Sequence, residues 1–197
     1  HPATPIGINL PNAEWIRERY GSKSVTLDNI TYAYNQASLN SGVLDEFAYS
    51  DEEKELVRTY GYVGGNVHTD LHECLGHGSG KMLPGVGQEA LKNYYSTIEE
   101  ARADLFALYY VMDPKLVELG VIPSLDVAKS EYCNYIRNGL MVQLTRVKLG
   151  NNLEESHMRN RQLIASWVYE KGKEANVIER GNREGKTYFT IRDYEAL

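Results

Sequence analysis

The chain has 197 residues, of which 42% are hydrophobic and 24% are charged, and its formal net charge is −6. This balance argues against a basic nucleic-acid-binding face and against a polybasic membrane-surface module. It predicts one soluble globular domain, because a chain of this length can bury about 70% of the surface that its unfolded form exposes.

Membrane and disulfide signals are weak. The longest apolar run, residues 105–112, is far shorter than the roughly 20 residues of a membrane span. The two cysteines are too few for a disulfide framework. We therefore expect a cytoplasmic protein that needs no membrane partner.

Helices are predicted along most of the chain from capping residues, glycines and prolines. They cover residues 13–20, 26–37, 51–59, 66–76, 89 or 96 to 112, 124–149 and 153–171, with Thr26 and Asn66 as expected caps of the second and fourth helices. Ser50 and Glu53 have the spacing of a capping box. A strand is predicted only over residues 186–193, and residues 6–11 are predicted to be irregular. The expected fold class is mostly α, with a small β element near the C-terminus.

Three of the five histidines lie close together, in the segment that ends His72-Glu73-Cys74-Leu75-Gly76-His77. In the HExxH helix of zinc peptidases, two histidines at i and i+4 share one face. Here the spacing is five, which turns a regular helix ~140° past a full turn and aims the rings apart. The rings converge only if the segment contains a π-type bulge, where Gly76 would relax the backbone.

A competing ligand pair is present in the same segment. His68 and His72 are at i and i+4, so a straight helix brings them together without any bulge. On spacing alone, His68/His72 and His72/His77 are equal candidates for a metal site.

Carboxylates for a third ligand follow in the stretch Glu99-Glu100-Ala101-Arg102-Ala103-Asp104. A catalytic zinc takes three protein ligands and keeps one position open. Glu100 and Asp104 share a helix face, with Glu99 beside them. The bland alternative is that Ser96 or Thr97 forms a capping box with one of the glutamates.

A further histidine and arginine, His157 and Arg161, lie one helical turn apart, in line with two apolar residues. They are expected to face the core or a cleft, where a buried arginine needs a carboxylate or a ligand as its partner. The alternative is a structural histidine and an arginine paired with Glu154.

Taken together, these segments resemble the dipeptidyl peptidase III family of zinc-dependent exopeptidases. Residues 72–81 are similar to the family's HExxxH zinc helix with its trailing glycines, and residues 99–104 are similar to its EExRAD motif. Residues 7–12 and the His157–Arg161 pair resemble its upstream and downstream segments. The matches follow the family's order along the chain.

The resemblance implies roles for individual residues. The zinc ligands would be His72, His77 and Glu100. Glu73 would be the general base, and His157 would stabilise the transition state, with Arg161 as its neighbour in the substrate cleft. Glu99 would orient a ligand histidine, and Asp104 would support the site. His68 matches no ligand position.

The resemblance also implies an architecture of two lobes around a wide cleft. We expect residues 1–197 to be a single domain, a helical zinc-binding piece of the upper lobe that is cut at both ends and lacks the second lobe. The 23 positions between His77 and Glu100 suggest a bacterial-type member. The expected activity is release of dipeptides from the N-terminus of short peptides, weak or absent in this piece alone. The alternative is a non-catalytic helical zinc-binding or interaction domain.

Overall fold

The structure is a computed structural model that describes residues 5–11, 13–153 and 155–197, apart from the side chain of Glu14. Helices dominate it, which confirms the mostly α class. The α-helices in the described ranges are α1 (Glu14–Tyr20), α2 (Asp28–Leu39), α3 (Val43–Phe47), α4 (Asp51–Leu71), α5 (Tyr95–Val111), α6 (Lys115–Glu118), α7 (Asp126–Leu140) and α8 (Ser156–Lys171). Shorter helical turns, one π and two 3-10, are His72–His77, Gln88–Tyr94 and Val142–Arg146.

Two antiparallel hairpins flank the helices. The first pairs β1 (Gly7–Leu10) with β2 (Lys23–Thr26), and the second pairs β3 (Ile178–Arg183) with β4 (Lys186–Ile191). The second hairpin was expected in part, over β4. Residues 6–11 were predicted to be irregular, and that prediction is wrong, because a four-residue strand becomes visible only through its distant partner.

The core lies among α4, α5, α7 and α8, which pack against one another. Its buried side chains are mostly small and β-branched: Val57, Val67, Val111, Val127, Ala128, Ile136 and Ala165. Ile178 and Ile191 of the second hairpin join this core. No helix in the described part of the chain is long and apolar enough to cross a membrane.

The glycines inside α4 explain the main error in the predicted helix boundaries. The helix was expected to end near residue 59, yet it continues through Gly61 and Gly64 to Leu71. Both glycines are buried, and a Cβ on Gly64 would lie 3.2 Å from the carbonyl oxygen of Val127 in α7. They therefore allow two helices to approach closely. Asn66, expected as a cap, instead donates its amide hydrogen to Asp28 Oδ1 at 2.7 Å.

Other helix ends show which capping signals were used. Ser50 accepts the backbone N–H of Glu53 at 3.2 Å, as the capping box predicts, while Glu53 Oε2 accepts the N–H of Tyr49. Helix α7 was expected to continue to residue 149, but it ends at Leu140. At this end it packs closely on α8, since a Cβ on Gly139 would lie 2.7 Å from the carbonyl oxygen of Arg161. Thr26 was expected as a helix cap, but it ends β2.

Candidate metal centre

The segment His72–His77 forms one π-helical turn at the end of α4. The extra residue brings the His72 and His77 rings to a centroid separation of 4.6 Å, and the predicted bulge is confirmed. Gly76 has no left-handed φ, so its place in the turn does not depend on a backbone conformation reserved for glycine. A Cβ there would lie 2.6 Å from Ala103 Cα. Gly76 therefore lets the π turn pack directly on α5.

Three potential ligand atoms converge where the π turn meets α5. His72 Nε2 lies 3.3 Å from Glu100 Oε2, and His77 Nε2 lies 3.5 Å from the same oxygen. That oxygen is buried and has no hydrogen-bond partner among the described residues. Two ligands of one tetrahedral zinc ion at ~2.0 Å are about 3.3 Å apart. The donor set therefore fits a metal ion.

Each of the two histidines offers its other nitrogen to a carboxylate of α5. His72 Nδ1 lies 2.7 Å from Asp104 Oδ1, and His77 Nδ1 lies 3.1 Å from Glu99 Oε1. Arg102 in turn donates to both oxygens of Glu99, at 2.6 and 3.0 Å. Such outer carboxylates fix the ring orientation of metal-binding histidines. Here they leave both Nε2 atoms facing Glu100.

The competing group of His68, His72 and Asp104 is also present, with ligand atoms within 4.8 Å of one another. It requires His72 to use Nδ1, which is only 2.7 Å from Asp104 Oδ1. That separation is typical of a hydrogen bond and shorter than the spacing of two ligands on one ion. The geometry therefore favours His72, His77 and Glu100, and leaves His68 as a contact of Asp104.

The carboxylates control the protonation of this cluster. Burial lowers the pKa of His72, but Asp104 and Glu100 outweigh it and raise the pKa to about 10. Burial also lowers the pKa of His77, but Glu100 and Glu99 outweigh burial and raise this pKa to about 9. The metal-free site therefore holds both rings as cations near neutral pH.

The acidic partners show the complementary shift. Burial raises the pKa of Glu100, but the two rings outweigh it and lower the pKa to about 2. Burial also raises the pKa of Glu99, but its contacts with His77 and Arg102 outweigh burial and lower the pKa to about 2. Both glutamates are thus anionic, as ligation or orientation of a ligand requires.

Glu73 points into the same space from the π turn and is only 7% exposed. Burial raises the pKa of its carboxyl group. The strand β1 crosses directly beneath it: a Cβ on Gly7 would lie 2.6 Å from Glu73 Oε1, and Asn9 Nδ2 donates to the Glu73 carbonyl oxygen at 3.1 Å. The first hairpin thereby fixes the position of Glu73.

A cavity of about 370 Å³ opens over these groups. Its lining residues come from β1, α1, the π turn, the following 3-10 turn, α5 and α8: Gly7, Ile8, Asn9, Arg17, His72, Glu73, His77, Gln88, Tyr95, Glu99, Glu100 and His157. The cavity holds the clustered ionisable groups. A second groove, lined by Leu105, Leu108, Tyr194 and Leu197 among others, is more hydrophobic. The cavity over the histidines is the candidate site on chemical grounds.

The downstream pair divides between the cavity and the core. His157 lines the cavity, with Nε2 at 3.3 Å from Glu100 Oε2 and Nδ1 at 2.6 Å from Glu155 Oε1. Arg161 lies elsewhere, 5.8 Å from the Tyr135 ring centroid and 3.5 Å from Gln143 Oε1. No carboxylate in the described ranges forms an ion pair with it. Its alternative partner, Glu154, lies outside the described residues, as does Asn12 of the upstream segment.

The capping alternative for the two glutamates is wrong. Helix α5 begins at Tyr95, one turn earlier, without a side-chain cap. Thr97 Oγ1 is buried and has no partner in the part of the chain that the structure describes. Glu99 and Glu100 therefore lie inside the helix and turn toward the histidines.

Sequence reasoning missed the contribution of the first hairpin and of α1. Besides Gly7 and Asn9, Arg17 donates from Nη1 to the His77 carbonyl oxygen at 2.8 Å. All three residues act across about 60 positions of the chain. No local spacing connects them to the histidines, so only the tertiary structure reveals them.

The chain is similar to known proteins both in sequence and in structure. Residues 2–92 match the model of peptidase family M49. Dipeptidyl peptidase 3 of Mus musculus and of Homo sapiens are each 28% identical, over 86% of this chain. The structure of DPP III from Caldithrix abyssi superposes with a TM-score of 0.68 at 27% identity, over 97% of this chain.

The chain is thus similar to peptidase family M49 and to dipeptidyl peptidase 3 proteins. It spans 27% of the length of the mouse and human relatives and 33% of the Caldithrix abyssi chain. The M49 match ends at residue 92, before Glu99, Glu100 and Asp104, so the contribution of α5 to the metal centre is seen in the structure of this chain.

Proposed function

We propose that this chain belongs to peptidase family M49 and is the metal-binding part of a zinc-dependent dipeptidyl peptidase, which releases dipeptides from the N-terminus of short peptides. The observation that carries the proposal is the π turn, which directs His72 and His77 at Glu100 and places Glu73 beside them. The relatives named dipeptidyl peptidase 3 support the reaction type.

We propose that His72 and His77, through Nε2, and Glu100, through Oε2, hold the metal. Two imidazole nitrogens and one carboxylate oxygen are a donor set that suits catalytic zinc. When bound, zinc supplies a Lewis acid and lowers the pKa of a coordinated water. Asp104 and Glu99 hold the two rings through their Nδ1 atoms.

Glu73 is the proposed proton acceptor. Its raised pKa suits a group that takes a proton from water and later returns it to the leaving amine. The contact with Gly7 restricts its carboxylate to the cavity side.

His157 is the proposed donor to the developing oxyanion. It lies across the cavity on α8, with Nδ1 bound to Glu155. Its Nε2 is on the cavity side, 3.3 Å from Glu100 Oε2, from where it would donate to the substrate carbonyl. Arg161 packs behind the cavity, so we assign it support of α8 and α7 near the site and no contact with substrate.

The proposal extends to a second lobe and to the cellular location. The short share of the relatives' length supports a second lobe, beyond these residues, that binds the peptide N-terminus. Both cysteines are free, which supports a reducing, cytoplasmic location. The bacterial-type assignment stays a prediction.

The first test is Glu73→Gln in the complete gene product. Turnover of a dipeptidyl arylamide should fall by about 10²–10⁴-fold, because the general base is lost, while zinc content stays at that of the wild type. Glu118→Gln, on the exposed surface of α6, is the matched control and should leave both unchanged. Undiminished turnover in Glu73→Gln, or a wild type that binds zinc without any turnover, would instead support a non-catalytic zinc-binding domain.

A further inference from the structure

A buried polar network lies behind His72, on the side away from the cavity. Its members are contributed by α4, α5 and α7: His68, Asp104, Glu131 and Tyr135. Each is largely enclosed; Asp104 is 4% exposed, Tyr135 4% and Glu131 7%. The proposed peptidase mechanism gives no task to His68, Glu131 or Tyr135.

Asp104 is the centre of this network. Its Oδ1 lies between two imidazoles, 2.7 Å from His72 Nδ1 and 3.2 Å from His68 Nε2. Its Oδ2 accepts the hydroxyl hydrogen of Tyr135 at 2.7 Å. Both carboxylate oxygens are thus held by this chain, in a place where water has almost no access.

His68 is itself held from several sides. Its Nδ1 lies 3.2 Å from Glu131 Oε1 without a hydrogen bond between them, and its ring stacks on Tyr135 at a centroid distance of 5.8 Å. His68 near the end of α4 and His72 at the start of the π turn lie one turn apart, so the two rings reach the same oxygen from one continuous helical segment. The position of His68 is therefore well defined, and it can define the position of Asp104.

We propose that His68 is a positioning residue that, with Tyr135, fixes the Asp104 carboxylate and thereby sets the orientation of the His72 ring toward the metal. This inference rests on the metal centre of the proposed function. Without the His68 contact, the carboxylate of Asp104 keeps, among the residues that the structure describes, the hydrogen bond from Tyr135 besides that to His72, and it can turn. The His72 ring then loses the constraint that holds Nε2 toward Glu100.

The test is Zn²⁺ affinity, measured by competition with a chromophoric chelator on the complete gene product. Outer partners of metal-binding histidines are worth about 10–100-fold in affinity, and we expect a loss in this range for His68→Leu. His68→Gln retains an N–H donor at the ε position and should restore most of the affinity. A role in packing alone would not distinguish glutamine from leucine in this way.

Tyrosine variants on α7 provide a matched pair. Tyr135→Phe removes the donor to Asp104 Oδ2 and should also weaken Zn²⁺ binding. Tyr132→Phe removes a hydroxyl that donates to the Leu108 carbonyl oxygen at 2.8 Å and should leave the affinity unchanged. Thermal unfolding of the metal-free variants shows which of them keep the fold.

The outcomes separate this inference from the proposed function. Unchanged affinity in His68→Leu and Tyr135→Phe, with zinc lost in His77→Ala, overturns the role of His68 and leaves the metal centre standing. A second zinc ion per chain that disappears in both His68 variants also overturns it, in favour of a metal site at His68, His72 and Asp104. A wild type without zinc, or zinc binding that survives His77→Ala, overturns the proposed metal centre itself.

Discussion

At the level of single residues, both histidines of the π turn place each ring nitrogen against a carboxylate. His72 is held between Asp104 and Glu100, and His77 between Glu99 and Glu100. A ring that faces an acceptor on both sides is best satisfied as an imidazolium. A metal ion must therefore displace a proton from each ring, since a ligand nitrogen has to be unprotonated.

Zinc binding at pH 7 should release about two protons per ion, because the metal-free pKa values are about 10 for His72 and about 9 for His77. Both values are raised, so the protonated form dominates below pH 9 and the apparent affinity should rise as the pH increases from 7 to 9. Calorimetry in buffers of different ionisation enthalpy measures the proton count. Release of no protons would contradict the arrangement, and His77→Ala is the control that lowers the count.

At the level of elements, the site depends on two pieces of secondary structure that differ in how well the sequence predicts them. The π turn could be predicted, because two histidines five residues apart have to be reconciled with one metal. The hairpin of β1 and β2 could not, because its strands are four residues long and pair across about 15 positions. The end of α4 was misplaced for a related reason: Gly61 and Gly64 resemble helix breakers until α7 is seen packed on them.

Gly7→Ala tests the role of the first hairpin. The new Cβ would come within 2.6 Å of Glu73 Oε1 and 2.9 Å of Glu73 Cγ, so the flexible carboxylate has to move. A displacement of ~1 Å at a catalytic group costs about 100-fold in rate. We expect kcat in the complete gene product to fall by about 10–100-fold while Zn²⁺ affinity is unchanged.

Gly65→Ala is the matched control for this substitution, since a Cβ there meets no atom within 4 Å. It should leave kcat at the wild-type value. Equal activities of Gly7→Ala and Gly65→Ala would show that β1 does not position Glu73.

At the level of the whole molecule, these 197 residues contain a complete candidate metal centre and an open cavity above it. The proposed metal ligands and the carboxylates beside them all come from this chain. The relatives, however, are three to four times as long. We therefore expect these residues alone to bind the metal but not to select dipeptides.

Residues 1–197 expressed alone should bind about one zinc ion per chain, as a three-ligand catalytic site does, yet cleave a dipeptidyl arylamide poorly or not at all. Metal analysis and a chromogenic assay, run beside the complete gene product at equal zinc content, measure the two properties. Efficient cleavage by the short chain would show that the other lobe is dispensable. Loss of zinc from the short chain would show that the other lobe is needed to hold the centre.

The proposed metal centre is also compact in sequence. Its ligands, the base and the groups that orient them lie mainly within residues 68–77 and residues 99–104, on two directly packed segments. A unit of this kind can be grafted: ten residues and six residues, placed on two adjacent helices of a designed bundle with glycine opposite alanine at the crossing, transfer both the ligands and their carboxylate supports. The π turn then becomes a design element, a way to add one residue to a helix so that its side chains meet across a single ion.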